Sequence, residues 1–255
     1  MSQKELHVDP KKPSFSRQEQ DSPDYDCKMN PVPDYGLNSY KGTGKLQDKI
    51  AIITGGDSGI GRAVAWAFAC EGATVIISYL NEHEDAKEIQ QAISKIGREC
   101  ILVPGDISEE EQCKKIIDIT ISKFQRIDIL VNNAAFQGKA LSDYSEYLVK
   151  QMILDNNREA IINVGSVQGY DSSAEIIDYA ITKATIVGFT KGLARKLLKK
   201  GIRVNCVAPG TAWTPLVMSS FPKNENVTFA EGCPIIRLAQ PRELAPAADS
   251  SYISE

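Results

Sequence analysis

The chain has 255 residues, 42% of them hydrophobic and 24% charged, and a formal net charge of −4. That composition suits a globule of one large α/β domain or two small ones. It excludes a basic nucleic-acid surface, and the apolar runs all fall short of a bilayer span, so neither nucleic acid nor membrane is an expected partner. The six cysteines, at 27, 70, 100, 113, 206 and 233, show no C-x-x-C spacing. They read as buried free thiols, with no disulfide framework and no metal site. The first residues carry no apolar signal region and the last no retention address, so the expected location is the cytoplasm.

Residues 1–44 read as an extended, partly disordered arm. Five of the twelve prolines lie in the first 33 positions, among Asp, Lys, Ser and Gln with few aliphatic residues. Such a segment buries too little apolar surface to offset its ordering entropy. The stretches Pro31–Gly36 and Tyr40–Gly42 are the parts able to dock on the domain, which is expected over 45–255.

The domain opens with Lys49–Cys70. The apolar run Ile50–Ile53 lacks polar alternation, as in a strand buried on both faces. A glycine-rich turn follows, Thr54-Gly55-Gly56-Asp57-Ser58-Gly59-Ile60-Gly61, and then apolar residues at helical spacing through Ile60, Val64, Ala67 and Phe68. Residues without Cβ let the backbone approach a phosphate, and the following helix offers it N–H groups and the positive end of its dipole. The spacing G-x-x-x-G-x-G (Gly55, Gly59, Gly61) differs from the commoner G-x-G-x-x-G. Arg62-Ala63 in place of Lys-Ser/Thr excludes a nucleoside-triphosphate loop.

The alternation continues. Ala73–Tyr79 reads as a strand, Glu84–Ile96 as a helix burying Ile89, Ala92, Ile93 and Ile96, and Cys100–Val103 as a strand. Glu109–Phe124 reads as a helix with Cys113, Ile116, Ile117 and Thr120 inward, and Ile127–Val131 as another strand. The second half gives strand Ala160–Gly165, long helix Asp178–Lys200 and strand Ile202–Val207. The long helix carries a core stripe of Ile186, Phe189, Leu193 and Leu197, and Gly201 ends it. Pro209-Gly210 starts a long loop to about Gln240, followed by a short helix from Pro241. This rhythm predicts a Rossmann-type, doubly wound parallel sheet in one domain, with ligands beyond the carboxyl ends of its strands.

Tyr179 and Lys183 lie one helical turn apart on one face, where an ammonium is expected to lower the phenol's pKa from about 10. A phenol so tuned passes a proton to or from an alcohol oxygen, and Ser166 is placed to hydrogen-bond that oxygen.

Together with Gly55/Gly59/Gly61, Asn132-Asn133-Ala134-Ala135 and Pro209-Gly210, the ordered set Ser166, Tyr179, Lys183 resembles the short-chain dehydrogenase/reductase superfamily over residues 45 to about 215. The likeness extends to its glucose and ribitol dehydrogenase-like branch, stress-associated oxidoreductases with a similar proline-rich arm. The resemblance implies an NAD(P)(H)-dependent enzyme interconverting an alcohol or polyol and a carbonyl, with Tyr179 as acid/base. Ser166 would orient the substrate oxygen, and Lys183 would hold the nicotinamide ribose. Residues Gly55, Asp57, Ser58, Gly59, Ile60 and Gly61 would take the coenzyme phosphates and ribose. Asp106 and Ile107 would meet adenine, Asn132 and Ala134 would line the path between the nucleosides, and Pro209, Gly210 and Thr214 would reach the nicotinamide half. Ser78-Tyr79, where an NAD-type carboxylate would stand, offers none, and Arg62 is near; this leans to NADP over NAD, with Tyr79 at the ribose.

Two departures from the family pattern stand out. Only 28 residues separate Val131 from Ala160, a shortened crossover without a mid-helix catalytic asparagine; Asn156 and Asn157 are the local candidates. The C-terminus, Pro241–Glu255, lacks the last apolar edge strand and passes from helix to tail, which removes a usual tetramer interface and leaves a homo-oligomer in question. These departures motivate a second reading, a catalytically impaired dinucleotide-binding or stress-related scaffold. The loop Thr211–Gln240, with Trp213, Met218, Phe221 and Phe229, would line the small-molecule substrate's pocket.

Overall fold

The computed structural model describes residues 25–135, 159–174, 176–219 and 237–253. The elements in chain order are β1 (Ile50–Thr54), α1 (Gly59–Cys70), β2 (Thr74–Tyr79), α2 (His83–Lys95), β3 (Cys100–Pro104), α3 (Glu110–Phe124) and β4 (Ile129–Asn132). They continue with β5 (Ala160–Val164), α4 (Ile177–Leu197), β6 (Arg203–Val207), α5 (Pro215–Ser219) and α6 (Pro241–Ile253). All six strands pair in parallel in the order β3-β2-β1-β4-β5-β6. This is the Rossmann order, whose direction reverses between β1 and β4, and sheets of this kind hold their ligands at the carboxyl ends of the strands at that point.

The uninterrupted apolar strands are explained by cover on both faces. On one face α1, α2 and α6 enclose a core that includes Ala51, Ile53, Phe68, Ile77, Ile89 and Ala245. On the other, α3 and α4 cover Ile52, Ile76, Ile116, Ile117, Leu130 and Leu197. Helix α1 is buried almost throughout, including Arg62, because α6 and the arm lie against the side the sheet leaves open.

The arm's described part is docked along its length. Tyr35 and Leu46 belong to the first core cluster, and the Trp66 indole N–H donates to Gly36 O at 3.0 Å. Glu71 accepts from Tyr40 Oη (2.9 Å), Thr43 N (2.7 Å) and Lys45 N (3.1 Å). Gly42 sits on the end of α1, where a Cβ would stand 1.9 Å from Cys70 O.

Three expectations need correction. The buried face of α4 is Ala180, Lys183, Val187, Thr190 and Leu197, whereas Phe189 is 42% exposed and Ile186 only partly covered. The stripe is rotated because the polar Lys183 and Thr190 turn inward to hydrogen-bond, which apolar periodicity does not register. Ile96, expected inward on α2, caps that helix and is 43% exposed. Thirdly, the segment after Pro241 stays helical through Pro246 to Ile253, and its end is fixed to β6. Asn205 Nδ2 and Arg203 Nη1 donate to Ser251 O (2.8 and 3.0 Å), and Arg203 also reaches Tyr252 O.

Among the described residues the sheet ends at β6, and Asn156, Asn157, Phe221 and Phe229 lie outside them. Among the described residues, too, no helix is long and apolar enough to cross a membrane, and no group of three His, Cys, Asp or Glu side chains is arranged to hold a metal. The five described cysteines are unpaired thiols, and Cys27 is exposed rather than buried.

Candidate active site

The sheet brings the singled-out residues to one rim, each just beyond or at the end of a strand: Gly55–Gly61 after β1, Tyr79 on β2, Asp106 after β3, Asn132 on β4, Ser166 after β5, and Pro209–Thr214 after β6. The glycine turn is pinned to its neighbours. Gly55 N donates to Ser78 O at 2.7 Å. The Asn133 side-chain amide donates to Thr54 O (3.0 Å) and Gly55 O (2.9 Å), while Thr54 Oγ1 accepts from Asn133 N (3.1 Å) and Ala134 N (3.0 Å). Thr54 and Asn133 therefore clamp β1 to β4 at the point of reversal, a positioning role that the sequence signals only as neighbours of named motif residues.

Gly55 and Gly59 have φ of +61° and +52°, the left-handed region that favours glycine. At Gly61 the reason is contact: a Cβ would lie 1.9 Å from Gly55 O. Ser58 begins α1 without a side-chain cap, and Gly59 N–H is taken by Asp26 Oδ2 at 3.0 Å. Asn132 Nδ2 donates to Asn163 Oδ1 (2.8 Å), and Asn163 Nδ2 to Thr190 Oγ1 (2.9 Å). The Asn132 Oδ1 and Ser78 Oγ atoms are buried without a hydrogen-bond partner. A glycine cradle that admits no Cβ, a helix amino end and two unsatisfied buried polar atoms on one rim fit a dinucleotide.

At the end of β2 the charge differs from the expectation. Asp57 is buried beside Glu82, and burial with that like charge pushes its carboxyl up to about 7. The two carboxylates also raise the Tyr79 phenol, after burial itself, and Tyr79 Oη bonds His83 Nδ1 at 3.0 Å. Arg62 is not available to a phosphate: its guanidinium is buried at 3.4 Å from Asp26 and 2.7 Å from Glu88, with its face 4.5 Å from the Tyr35 ring centroid. Asp106 Oδ1 accepts from Ser108 N (2.9 Å), and Ile107 O accepts from the Cys113 thiol.

On the other side of the crevice, Ser166 stands beside Tyr179, where its side chain acts to lower the phenol's pKa, and Ser166 Oγ accepts from Gln168 N at 3.2 Å. Gly169 makes this approach feasible, since a Cβ there would stand 2.9 Å from the Lys183 carbonyl group. Val167 N donates to Pro209 O (2.9 Å), tying the Ser166 turn to the loop that carries Thr214. Thr214 packs on the glycine turn, its Cγ2 lying 3.2 Å from where a Cβ of Gly59 would be. The Tyr179 phenol is raised, not lowered. Burial outweighs the Ser166 side chain, and Lys183 directs Nζ to Val164 O (3.3 Å) with the Tyr179 ring centroid 5.5 Å away. The Lys183 ammonium is itself destabilised by burial, which pulls its pKa down.

The family model for short chain dehydrogenase matches residues 49–156 and 139–225 of this chain. Glucose and ribitol dehydrogenase of Daucus carota is 41% identical over 94% of this chain and 93% of its own length. General stress protein 39 of Bacillus subtilis is 40% identical over 91% of this chain and 90% of its own. L-Sorbose reductase from Gluconobacter frateurii, solved with NADPH and L-sorbose, superposes with a TM-score of 0.68 at 28% identity, covering 80% of this chain and 89% of that one.

Proposed function

The chain belongs to the short-chain dehydrogenase family, within its glucose and ribitol dehydrogenase-like branch. From that premise we propose a nicotinamide-dependent oxidoreductase that interconverts an alcohol or polyol and a carbonyl. The observation that carries this reading is the gathering of Ser166, after β5, with Tyr179 and Lys183, on α4, at the rim that also bears the glycine turn. When bound, the nicotinamide supplies or accepts the hydride. Ser166 fixes the substrate oxygen, and the Tyr179 hydroxyl gives that oxygen a proton in reduction and takes it back in oxidation. Lys183 would hold the nicotinamide ribose, and Gly55–Gly61 with Asn132 would hold the phosphates and adenosine side.

For the coenzyme, the sequence leans to NADP, but Asp57 and Glu82 stand beside Tyr79. We therefore read both NADP(H) and NAD(H) as coenzymes, ranked by the protonation of Asp57: neutral, it tolerates a 2′-phosphate; ionised, it repels one. Sugar and polyol substrates are favoured by the names of the carrot relative and of the sorbose reductase. The shortened crossover between Val131 and Ala160, without a mid-helix asparagine, favours the second reading, a dinucleotide-binding protein without turnover. Purified protein with NADPH or NADH and a panel of aldoses, ketoses and small carbonyls separates the two. Turnover that Tyr179→Phe abolishes supports the enzyme; coenzyme binding with no turnover across the panel overturns it in favour of the scaffold.

A further inference from the structure

The arm makes a contact that its composition does not predict. Asp26 is 1% exposed, in a short 3-10 turn (Asp26–Lys28). Its Oδ2 accepts from Gly59 N at 3.0 Å and from Arg62 Nη1 at 3.4 Å, and its own N–H donates to Asp85 Oδ2 at 2.8 Å. Gly59 is the middle glycine of the phosphate-binding turn. Burying a carboxylate costs several kcal/mol unless charge and hydrogen bonds compensate. An apolar side chain would cover α1 at less cost, so packing alone does not account for an acid at this place.

The same strand of arm grips the opposite wall. Met29 is buried with Trp213, Met218 and Leu238, and the Trp213 indole N–H donates to Pro31 O at 2.8 Å. Three residues on, Asp34 N donates to Gln240 Oε1 (2.9 Å), Arg242 N donates to Asp34 O (3.0 Å), and the Arg242 guanidinium pairs with the Asp34 carboxylate at 3.1 Å. Residues 26–36 thus span from the glycine turn to the loop after β6, the two walls that meet where Thr214 touches Gly59. Both tryptophans of the chain donate their indole N–H to this span, Trp213 to Pro31 and Trp66 to Gly36.

We propose that residues 26–36 are a brace of the coenzyme crevice, in which Asp26 is a positioning residue for the amides of the glycine turn and Met29 holds the Trp213 loop to the same frame. The inference rests on the reading that α1's amino end receives a dinucleotide. With the Gly59 amide committed to Asp26, the direction of the first turn is set before ligand arrives, and the later amides remain for phosphate.

The test uses full-length Asp26→Ala, Asp26→Asn and Met29→Ala. NADPH and NADH affinities are titrated, and amide hydrogen exchange is followed over 59–62 and 213–218 without coenzyme. Asp26→Ala is expected to weaken coenzyme binding about ten-fold or more, as for loss of a hydrogen bond to a charged group, and to speed exchange in both segments. Asp26→Asn, which keeps an acceptor for Gly59, should recover most of the affinity. Met29→Ala, whose partners are on the far wall, should still speed exchange at 59–62. Its exchange also decides the question if Asp26→Ala does not fold. Unchanged exchange at 59–62 in Met29→Ala overturns the brace, and faster exchange with unchanged coenzyme affinity in the Asp26 variants overturns the positioning role. A wild-type protein that binds neither coenzyme overturns the site reading and Asp26's role with it, while the exchange data still decide the coupling of the two walls.

Discussion

Gly61 lies beneath Gly55 so closely that a Cβ on the first would stand 1.9 Å from the carbonyl oxygen of the second. The obstacle is backbone, itself clamped by Asn133 Nδ2 at 2.9 Å, so neither side yields cheaply. Gly61→Ala is expected to cost about 3 kcal/mol of stability or more, the upper end for overpacking a tight site, and to abolish coenzyme binding. Denaturant melts and coenzyme titration check both; a native-like melt with unchanged affinity would refute the account.

The Asp57 carboxyl, raised by burial and by Glu82 from 3.8 to about 7, makes stability depend on pH. A raised folded-state pKa means the proton is held more tightly in the fold. Relative to the unfolded chain, the contribution is therefore full below pH 3.8 and is lost as pH rises through about 7. Asp57→Asn should accordingly be more stable than wild type at pH 8, by about 1–3 kcal/mol, with the gap closing toward pH 5. Melts across that range measure it.

Ionisation of the same group should reorder the coenzymes. The ratio of NADPH to NADH affinity is expected to fall as pH rises from 6 to 8, by about three- to ten-fold as one nearby negative charge appears. Asp57→Asn should flatten the dependence. A ratio that is flat in wild type removes Asp57 from the ribose.

Tyr179 holds its proton across neutral pH because burial raises its phenol. Carbonyl reduction needs the protonated form and should be flat from pH 6 to 9, whereas alcohol oxidation needs the phenolate and should climb with alkalinity, about ten-fold per unit. Ser166→Ala removes the side chain that opposes the rise, so the alkaline limb should move to higher pH. An oxidation rate that levels off near neutrality would show that another group sets the protonation.

Glu71 carries the opposite sign. Hydrogen bonds from Lys45 and Thr43 amides and from the Tyr40 and Thr43 hydroxyls hold its carboxyl below 4.5 despite burial. That stabilisation is present above pH 4.5 and lost as pH falls through the lowered value. Acidification should therefore release the segment around Tyr40–Lys45 first, seen as a change in Trp66 emission, and Glu71→Gln should show the release already at neutral pH.

Much of this was readable from residue patterns. The strands are apolar without interruption because helices cover both faces, and that alone announces a parallel sheet. The glycines, Ser166, Tyr179 and Lys183 follow from fixed spacing within local elements. The rest depends on contacts across long sequence separations. Nothing near Asp26 in the chain points to Gly59, and no periodicity tells that Lys183 and Thr190 turn inward while Phe189 faces out. The tuning of Tyr179 also depends on where Lys183 directs its ammonium, which a four-residue spacing leaves open.

One apolar cluster joins Tyr35 and Leu46 near the start of the chain, α1, and Ala245 and Ala248 near residue 250. During synthesis the flank of α1 thus stays uncovered until α6 has left the ribosome. Nascent chains stalled before α6 should be the ones that recruit chaperones and yield to proteases, and emergence of α6 should end that vulnerability in a single step.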